Sequence, residues 1–323
     1  MSQPITIIVV GSLNMDLTTC TRRLPHPGET LAAQSFTTAP GGKGANQAVA
    51  CVRLSRAYRG AHANTAVVKM IGAVGADEFG RQLVEGLEKD GIDIQGVSVR
   101  DDISTGVAAI IVEEETHENR ILYTAGANGT LTPEHFPKGY FTKFDPAPSV
   151  VVLQLETPLQ TVLHLLTLAS ESSVPTIFNP APAAYIPVDF YPKITHLILN
   201  ESETAFLIGE EVAVLDSAAG ISAAANKLME YGVRKSVVIT LGARGAYFKT
   251  RAGDEGLVQP TSSADKVVDT TGAGDTFVGA FAVAFVEGKP VRECVEWASR
   301  ASGVAVTRRG AQGGIPWRGE LDG

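Results

Sequence analysis

Residues 267–280 read Val267-Val268-Asp269-Thr270-Thr271-Gly272-Ala273-Gly274-Asp275-Thr276-Phe277-Val278-Gly279-Ala280. The β-branched start predicts a strand that ends at Asp269, and the apolar residues after Asp275 predict a buried helix. The amides of Gly272, Ala273 and Gly274 would be free at the start of that helix and, with the helix dipole, would form an anion site that fits a phosphate. Asp275 in the first turn would add a carboxylate able to accept a proton from an attacking hydroxyl group.

A simpler explanation exists for an isolated Gly-x-Gly-Asp sequence. The glycines permit a tight turn and Asp275 caps the helix, without any chemistry. Taken alone, the stretch favours this structural interpretation, so a functional one depends on the rest of the chain.

Composition predicts a large α/β protein with a substantial core. The chain has 323 residues, of which 44% are hydrophobic, and its net charge of -8 argues against a nucleic-acid or anionic-membrane partner. The widely spaced Cys20, Cys51 and Cys294 indicate neither disulfides nor a zinc site. The apolar run from Ile5 to Val10 is too short for a signal sequence or a membrane span, so we expect a cytoplasmic protein, with the nucleus as an alternative.

The first strand carries two polar residues at its end. Ile5 to Val10 is a continuous β-branched run of the kind buried on both faces of a parallel sheet. Asn14 and Asp16 follow two positions apart, so in an extended segment both side chains project from one face and could hold paired hydroxyl groups. An Asx turn explains one of them equally well, and the sequence leaves both interpretations open.

A second glycine-rich helix start follows at residues 41–47, Gly-Gly-Lys-Gly-Ala-Asn-Gln. It is not a Walker A loop, because Thr37 stands at the position of the first glycine and Gly44 follows the lysine. Gly42 would let the backbone approach a ligand, while Lys43 and Asn46 supply donors for hydroxyl and phosphate oxygens.

We expect one main domain that spans residues 1–323. Two regions of the sequence predict a small sheet inserted into it. Residues 17–38 suggest an antiparallel strand pair, and the runs at 106–112 and 120–123 suggest a hairpin. The inserted strands, at about 13–38 and 100–125, would form a lid that excludes water from phosphoryl transfer.

Polar residues end each strand predicted beyond residue 150, namely Glu156, Asn179, Asn200 and Thr240. Ligands bind beyond the carboxyl ends of parallel strands, so a site is expected at this edge. Glu203 either completes a capping box with Asn200 or holds a metal-bound water near a nucleotide. In the C-terminal loop at 308–314, carbonyl groups could face Asp269 and enclose a cation, although a plain loop is the alternative.

Together these motifs resemble the PfkB-type carbohydrate-kinase family, which includes ribokinases, fructokinases and adenosine kinase. The resemblance extends nearly from end to end, and residues 41–47 are closest to its ribokinase members. It rests on seven stretches: Gly11-Ser12-Leu13-Asn14-Met15-Asp16, Gly41-Gly42-Lys43-Gly44-Ala45-Asn46-Gln47-Ala48, Gln154-Leu155-Glu156, Asn179-Pro180-Ala181-Pro182-Ala183, Asn200-Glu201-Ser202-Glu203, Asp269 to Phe277, and Ala305 to Gln312.

The resemblance implies a three-layer, Rossmann-like α/β core with a mainly parallel sheet flanked by helices, and a β-sheet lid that often serves as the contact of a homodimer. It implies ATP-dependent phosphorylation of D-ribose at the 5-hydroxyl, giving ribose 5-phosphate and ADP, with Mg²⁺ and activation by K⁺. Asp275 would be the general base. A kinase for another sugar or a nucleoside, for example 2-deoxyribose, and a non-catalytic sugar sensor remain alternatives.

The implied ligand contacts fall into four groups. The ribose contacts would be Asn14, Asp16, Gly42, Lys43, Asn46, Glu156 and Asp275. The nucleotide contacts would be Asn200, Thr240, Gly242, Arg244, Gly245, Gly274 and Ser299. Glu203 would lie near Mg²⁺ through water, and the potassium loop would comprise Asp269, Thr271, Ala305, Arg308, Gly310 and Gly314. The chain departs from the family pattern at Gly314, where serine is common, at Ser299 near the adenine, and in an insertion at residues 55–65.

Overall fold

The central sheet contains nine strands, described here from a computed structural model that covers residues 5–61, 64–116, 118–261 and 266–321. The strands within these residues are β1 Thr6–Val10, β2 Asn14–Thr21, β3 Ser35–Gly41, β4 Val67–Gly75, β5 Asp93–Arg100, β6 Gly106–Glu113, β7 Glu118–Thr124, β8 Val150–Leu153, β9 Thr176–Phe178, β10 His196–Asn200, β11 Ser236–Thr240, β12 Ala246–Thr250 and β13 Glu255–Val258. The helices are α1 Lys43–Leu54, α2 Glu78–Asp90, α3 Leu159–Glu171, α4 Glu201–Ile208, α5 Ala218–Glu230, α6 Ala273–Val286, α7 Val291–Ala305 and α8 Ala311–Gly314.

The strand order of the central sheet is β13-β12-β11-β10-β9-β8-β1-β4-β5. All neighbouring strands from β5 to β11 pair in parallel, whereas β12 and β13 are antiparallel to their neighbours. The predicted α/β fold with a mainly parallel sheet is confirmed. Because β1 lies inside the sheet, between β8 and β4, the residues that follow it reach the carboxyl edge between two neighbouring strands.

Strand β1 is buried on both faces, as its continuous apolar run predicts. Ile7 and Val9 pack into one core with α1, α6 and α7, while Ile8 and Val10 pack into a second core with α3, α4 and α5. No residue of this run from 7 to 10 is more than 2% exposed. The helices therefore form two layers with the sheet between them.

Helices α1 and α6 pack unusually closely. A Cβ atom on Gly279 would lie 2.4 Å from Cβ of Ala50, so only glycine allows this approach. The contact brings the first turn of α1, with Asn46, next to the first turn of α6, with Asp275.

A second, small sheet has the order β3-β2-β6-β7. Its strand β2 starts only four residues after β1 ends, so the small sheet begins at the carboxyl edge of the central sheet. Asn14 on β2 is in register with Gly41 on one side and Gly106 on the other. The strand pair expected within residues 17–38 and the later hairpin are both present, whereas their action as a lid stays a prediction.

The strand expected at Val267 and Val268 is wrong. These side chains are 44% and 55% exposed, and the amides of Val268 and Asp269 both donate to the single carbonyl of Val306. Since one carbonyl at the end of α7 cannot continue a ladder, the segment is an irregular connection at the rim of a cleft.

Within the described residues, no helix has the length and apolarity needed to cross a membrane.

Candidate active site

Glu156 joins three segments at the carboxyl edge of the central sheet. Its Oε2 atom accepts hydrogen bonds from Ser12 Oγ at 2.6 Å, from the Lys43 amide at 2.9 Å and from Asn14 Nδ2 at 3.3 Å. The turn after β1, strand β2 and the start of α1 are thereby held around one carboxylate. The predicted sugar contacts Asn14, Lys43 and Glu156 lie side by side.

Asp16 lies on β2 two positions after Asn14 and faces the same charged cluster. Burial, followed by the charges of Glu156 and Asp275, raises the pKa of Asp16 from 3.8 to about 7, although Lys43 opposes this shift. A carboxylate in this setting gains from accepting hydroxyl hydrogen bonds, because they stabilise its ionised form.

Lys43 supplies the positive charge of the cluster. Burial lowers the pKa of its ammonium group, but the carboxylates of Asp275 and Glu156 outweigh burial and raise that pKa overall. Lys43 therefore remains a cation close to Asp275, where it can attract phosphoryl oxygens.

Asp275 is 7% exposed and both of its carboxylate oxygens accept amide hydrogen bonds. Asn46 Nδ2 donates to Oδ2 at 2.9 Å, and Gln47 Nε2 donates to Oδ1 at 3.0 Å. Among the described residues, Oδ1 of the buried Asn46 has no hydrogen-bond partner. Since a buried carbonyl oxygen without a partner is costly, a hydroxyl group of a ligand would fit beside it.

The turn before Asp275 has the geometry of an anion site. Gly272 has φ 75° and precedes α6, and a Cβ atom there would meet Ala311 Cα at 2.8 Å. The Ala273 amide donates to the Thr270 carbonyl at 3.2 Å. Within the part of the chain that the structure describes, the amides of Gly274 and Asp275 have no acceptor, as expected in the first turn of a helix. Gly274 thus offers the clearest free donor to a phosphate.

Two cavities meet at this turn. The smaller, about 220 Å³, contains Lys43, Asn179, Glu203, Gly272 and Asp275, and the larger, about 830 Å³, extends towards α7. Asn200, Thr240, Thr270 and Gly274 line both. A ligand in one cavity could therefore contact a ligand in the other next to Asp275.

Most of the predicted nucleotide contacts line the larger cavity, namely Asn200, Thr240, Gly242, Gly245, Gly274 and Ser299. Arg244 is not among its lining residues. Its guanidinium group pairs with Glu201 and donates to the Leu215 carbonyl at 2.9 Å. Arg244 holds the turn at residues 242–245 against the start of α4, and its contact with a nucleotide stays a prediction.

Glu203 forms the capping box that the sequence suggested. Its carboxylate accepts from the Asn200 amide at 2.9 Å and from Asn200 Nδ2 at 3.0 Å, and burial raises its pKa. No three His, Cys, Asp or Glu side chains cluster as a metal site in the described ranges. Each Glu203 oxygen already has a partner, so a contact through water suits Mg²⁺ better than direct ligation.

Asp269 connects the start of the anion turn to the C-terminal loop. Its Oδ1 accepts from the Thr271 amide at 2.9 Å and its Oδ2 from the Gly310 amide at 2.8 Å. Burial raises the pKa of Asp269, but these hydrogen bonds and the charge of Arg309 outweigh it and hold that pKa below its ordinary value. An ionised carboxylate is thus fixed beside this loop.

The other predicted potassium-loop residues lie in the same region. The carbonyl oxygen of Ala305 accepts from the Arg308 amide at 3.1 Å and would lie 2.9 Å from a Cβ atom on Gly314. A carboxylate and the backbone carbonyl groups of one loop are oxygen donors of the kind that suit a hard cation. The residues therefore fit K⁺, whose binding here stays a prediction.

Three further residues of the site were not predicted from the sequence. Ser12 donates to Glu156, Gln47 to Asp275, and Asn128 Nδ2 to Asn14 Oδ1 at 2.8 Å. Ser12 and Gln47 belong to stretches already singled out, so their position beside Asn14 and Asn46 was a usable signal. The sequence around Asn128 carries no such signal, because Asn128 and Asn14 are 114 positions apart and meet only in the folded chain.

Comparison with known proteins agrees with this geometry. The model of the pfkB family of carbohydrate kinases matches residues 5–318. The chain is 42% identical to the ribokinase of Schizosaccharomyces pombe, over 99% of this chain and 97% of that protein. It is 34% identical to a deoxyribokinase of Salmonella typhi, over 96% and 95%. A structure of Arabidopsis thaliana ribokinase complexed with ribose and ATP superposes with a TM-score of 0.85 at 30% identity, covering 99% of this chain and 98% of that chain.

Fold and site together define a phosphotransferase with a glycine-rich anion turn beside a carboxylate. The chain belongs to the pfkB family of carbohydrate kinases. The family resemblance, the fold and the prediction of an enzyme of the ribokinase type are confirmed.

Proposed function

We propose that the protein transfers the γ-phosphoryl group of ATP to the 5-hydroxyl of D-ribose, giving ribose 5-phosphate and ADP. The observation that carries this proposal is the position of Asp275, which lies in the cavity between the cluster around Glu156 and the larger cleft. The ribokinases of Schizosaccharomyces pombe and Arabidopsis thaliana support the choice of ribose and ATP.

On the acceptor side, Asn14, Asp16, Lys43, Asn46 and Glu156 hold the sugar hydroxyls, with the backbone of Gly42 close to the ring. Asp16 and the unpartnered Asn46 Oδ1 accept hydrogen bonds, while Lys43 and Asn14 donate. This mixture matches a polyol, since each hydroxyl group both donates and accepts.

In the transfer step, the 5-hydroxyl oxygen attacks the γ-phosphorus and its proton passes to Asp275. The bond from the γ-phosphorus to the bridging oxygen of ADP breaks, and that oxygen retains the electron pair. The turn at Gly272, Ala273 and Gly274 steadies the negative charge that develops, with Gly274 N as the principal donor because Ala273 N already bonds to Thr270. Lys43 adds a positive charge on the acceptor side.

The nucleotide lies in the larger cleft, against Thr240, Gly242 and Gly245 on one wall and Ser299 on the other. Glu203 would hold Mg²⁺ through a water molecule, and the ion would supply positive charge to the phosphates of ATP. The loop around Asp269, Ala305 and Gly310 binds K⁺, and the carboxylate of Asp269 orders the turn that precedes Gly272.

A kinase for 2-deoxyribose is the second candidate, because a deoxyribokinase of Salmonella typhi is 34% identical to this chain. A hydroxyl-binding site rejects an analogue that lacks the hydroxyl by a large factor, so acceptor preference separates the two candidates. A sensor without catalysis would bind a sugar and release no ADP.

We also propose that the protein forms a homodimer through the small sheet. Phe36 and Leu122, which the register places on one face of this sheet, are 62% and 70% exposed, and exposed apolar side chains on one face favour an interface. Sedimentation of the protein with and without Leu122→Asp tests this contact, and a monomeric wild type contradicts it. A location in the cytoplasm stays a prediction.

The test of the proposed function is ADP release by the purified protein with ATP, Mg²⁺ and a panel of sugars, in potassium and in a bulky organic cation. We expect the highest kcat/KM with ribose and a clear loss of rate without potassium. A preference for 2-deoxyribose supports the second candidate, and no ADP release with any sugar refutes the kinase. Equal rates in both cations refute the potassium site alone.

A further inference from the structure

Gln47 is a fully buried side chain that connects Asp275 to the central sheet. Its Nε2 atom donates to Asp275 Oδ1 at 3.0 Å and to Asn179 Oδ1 at 3.2 Å. Its Oε1 atom accepts from Nε2 of Gln154 at 2.7 Å, and Asn179 Nδ2 in turn donates to the Ile198 carbonyl at 3.0 Å. The amides of Gln154, Gln47 and Asn179 thus form one chain, here called the amide relay, that runs from β8 and β10 to the carboxylate on α6.

We infer that Gln47 is a positioning residue of the phosphoryl transfer: through the amide relay it fixes the orientation of the Asp275 carboxylate and keeps it ready to accept the proton. This inference deepens the proposed function and rests on it. Gln47 belongs to the motif at residues 41–47, but its amide is occupied by Asp275, Asn179 and Gln154 and not by the cavity.

The geometry makes the orientation of the relay unambiguous. An ionised carboxylate only accepts hydrogen bonds, so Gln47 must present its NH₂ group to Asp275 and its carbonyl oxygen to Gln154. Gln154 Nε2 satisfies that carbonyl and therefore prevents the Gln47 amide from turning over. Asn46 and Gln47 are consecutive on α1 and donate to different oxygens of Asp275, so together they fix the plane of the carboxylate.

The relay also acts on the charge of the base. Lys43 is the cation whose charge interacts with Asp275, whereas the nearby Asp16 and Glu203 are acidic. Two amide donors stabilise the ionised form of a carboxylate against such acidic neighbours. If the Gln47 donor became a carboxylate, Asp275 Oδ1 would lose that hydrogen bond and gain a further negative charge beside it.

The decisive variant is Gln47→Glu, which keeps the size of the side chain and replaces the donor by an acceptor. We expect kcat for ribose to fall by about 10²-fold, as for other small misplacements of a reacting group. We also expect the acid limb of the kcat profile to move to higher pH, while ribose and ATP binding measured by calorimetry change less than about threefold. Gln160→Glu, on the exposed side of α3, is the matched control and should retain wild-type values.

A second variant tests the relay if Gln47→Glu does not fold. Gln154→Met removes only the donor to Gln47 Oε1, and Gln154 Oε1 has no partner within the described part of the chain. We expect kcat to fall about 10-fold with unchanged KM, because the Gln47 amide can then turn over. Wild-type kcat and pH profile in either folded variant, or an effect on KM alone, overturns the inference. An inactive wild type instead refutes the proposed function, so the two failures are distinguishable.

Discussion

Asn128 Nδ2 donates to Asn14 Oδ1 over 2.8 Å and thereby fixes the orientation of the Asn14 amide. Asn128 is completely buried, donates also to the Leu13 carbonyl at 3.0 Å, and accepts from the Leu13 amide at 2.9 Å. Because its oxygen bonds to Asn128, Asn14 presents Nδ2 to Glu156 and to the space beside it. The turn that follows β7 therefore controls a side chain on β2.

Asn128→Asp should weaken sugar binding and stability together. An aspartate cannot donate to Asn14 or to Leu13, and its carboxylate would instead face their acceptor oxygens, which costs about 1–3 kcal/mol or more. We expect KM for ribose to rise at least about 10-fold and the melting temperature to fall. Steady-state kinetics and thermal melts measure both, with the exposed Asn119→Asp on β7 as control. Unchanged KM would show that Asn14 does not need this partner.

Asp275→Asn should abolish most turnover and preserve nucleotide binding. Loss of a general base typically lowers rate on the order of 10²- to 10⁴-fold, whereas the Gly274 amide and the larger cleft are unaltered by the substitution. Single-turnover kinetics and ATP calorimetry separate these effects, and Asp189→Asn, an exposed site, is the control. A variant with near-normal turnover would exclude Asp275 as the base.

Asp16→Asn should make the free protein more stable at alkaline pH and weaken its binding of sugar. The pKa of Asp16 is raised to about 7 by burial and by Glu156 and Asp275, so ionisation of Asp16 costs folding free energy as pH rises from about 4 to 7. The variant has no such cost and should gain stability over wild type through this range, with a constant difference above it.

Thermal melts between pH 4 and 9 measure the stability difference, and ribose calorimetry at pH 8 measures the loss of hydrogen bonds to a charged acceptor, about 10-fold or more. The exposed Asp102→Asn serves as control. If the difference between wild type and Asp16→Asn is independent of pH, the carboxyl group does not titrate in this range.

His196→Phe should flatten the loss of stability in acid. The imidazole is fully buried between Phe281 and Phe285, at ring distances of 5.3 and 4.6 Å, and its Nδ1 lies 2.7 Å from Ser236 Oγ. Burial, with a contribution from Lys235, lowers its pKa from 6.5 to about 3. Between pH 6.5 and about 3, His196 is therefore protonated in the unfolded chain and neutral in the folded protein.

The contribution of neutral His196 to stability is therefore complete above pH 6.5 and is lost as pH falls towards 3, by up to about 1.4 kcal/mol per pH unit. Urea unfolding at several pH values compares the slopes of wild type and His196→Phe. The exposed His26→Phe should keep the wild-type slope. Equal slopes for wild type and His196→Phe would mean that His196 is not the group responsible.

Local sequence patterns predicted most of the fold because they depend on a single element. The run ending at Val10 requires apolar surroundings on both faces, and Asp77 and Gly91 mark the ends of α2 by cap geometry that needs few distant residues. The strand prediction at Val267 and Val268 was wrong for the same reason. Their β-branched side chains favour a strand, but the amides of this segment bond to the single Val306 carbonyl and not to a neighbouring strand.

The site was only partly accessible from sequence. Motifs identified the segments that meet, but which side chains contact each other depends on crossings between distant segments. Arg244 shows this limit, because its guanidinium is directed by Glu201 and Leu215 rather than by its own glycine turn. Gln47 shows the opposite case, in which a residue inside a quoted motif gains its meaning from Gln154 and Asn179.

The close contact of α1 with α6 at Gly279 also constrains when the protein becomes active during synthesis. Asn46 and Asp275 are 229 positions apart, so the ribosome must make almost the whole chain before they can meet. Loop closure over this distance is slow and entropically unfavourable. A nascent chain that ends before α6 has neither the glycine turn nor Asp275, so the site can be completed only late in synthesis.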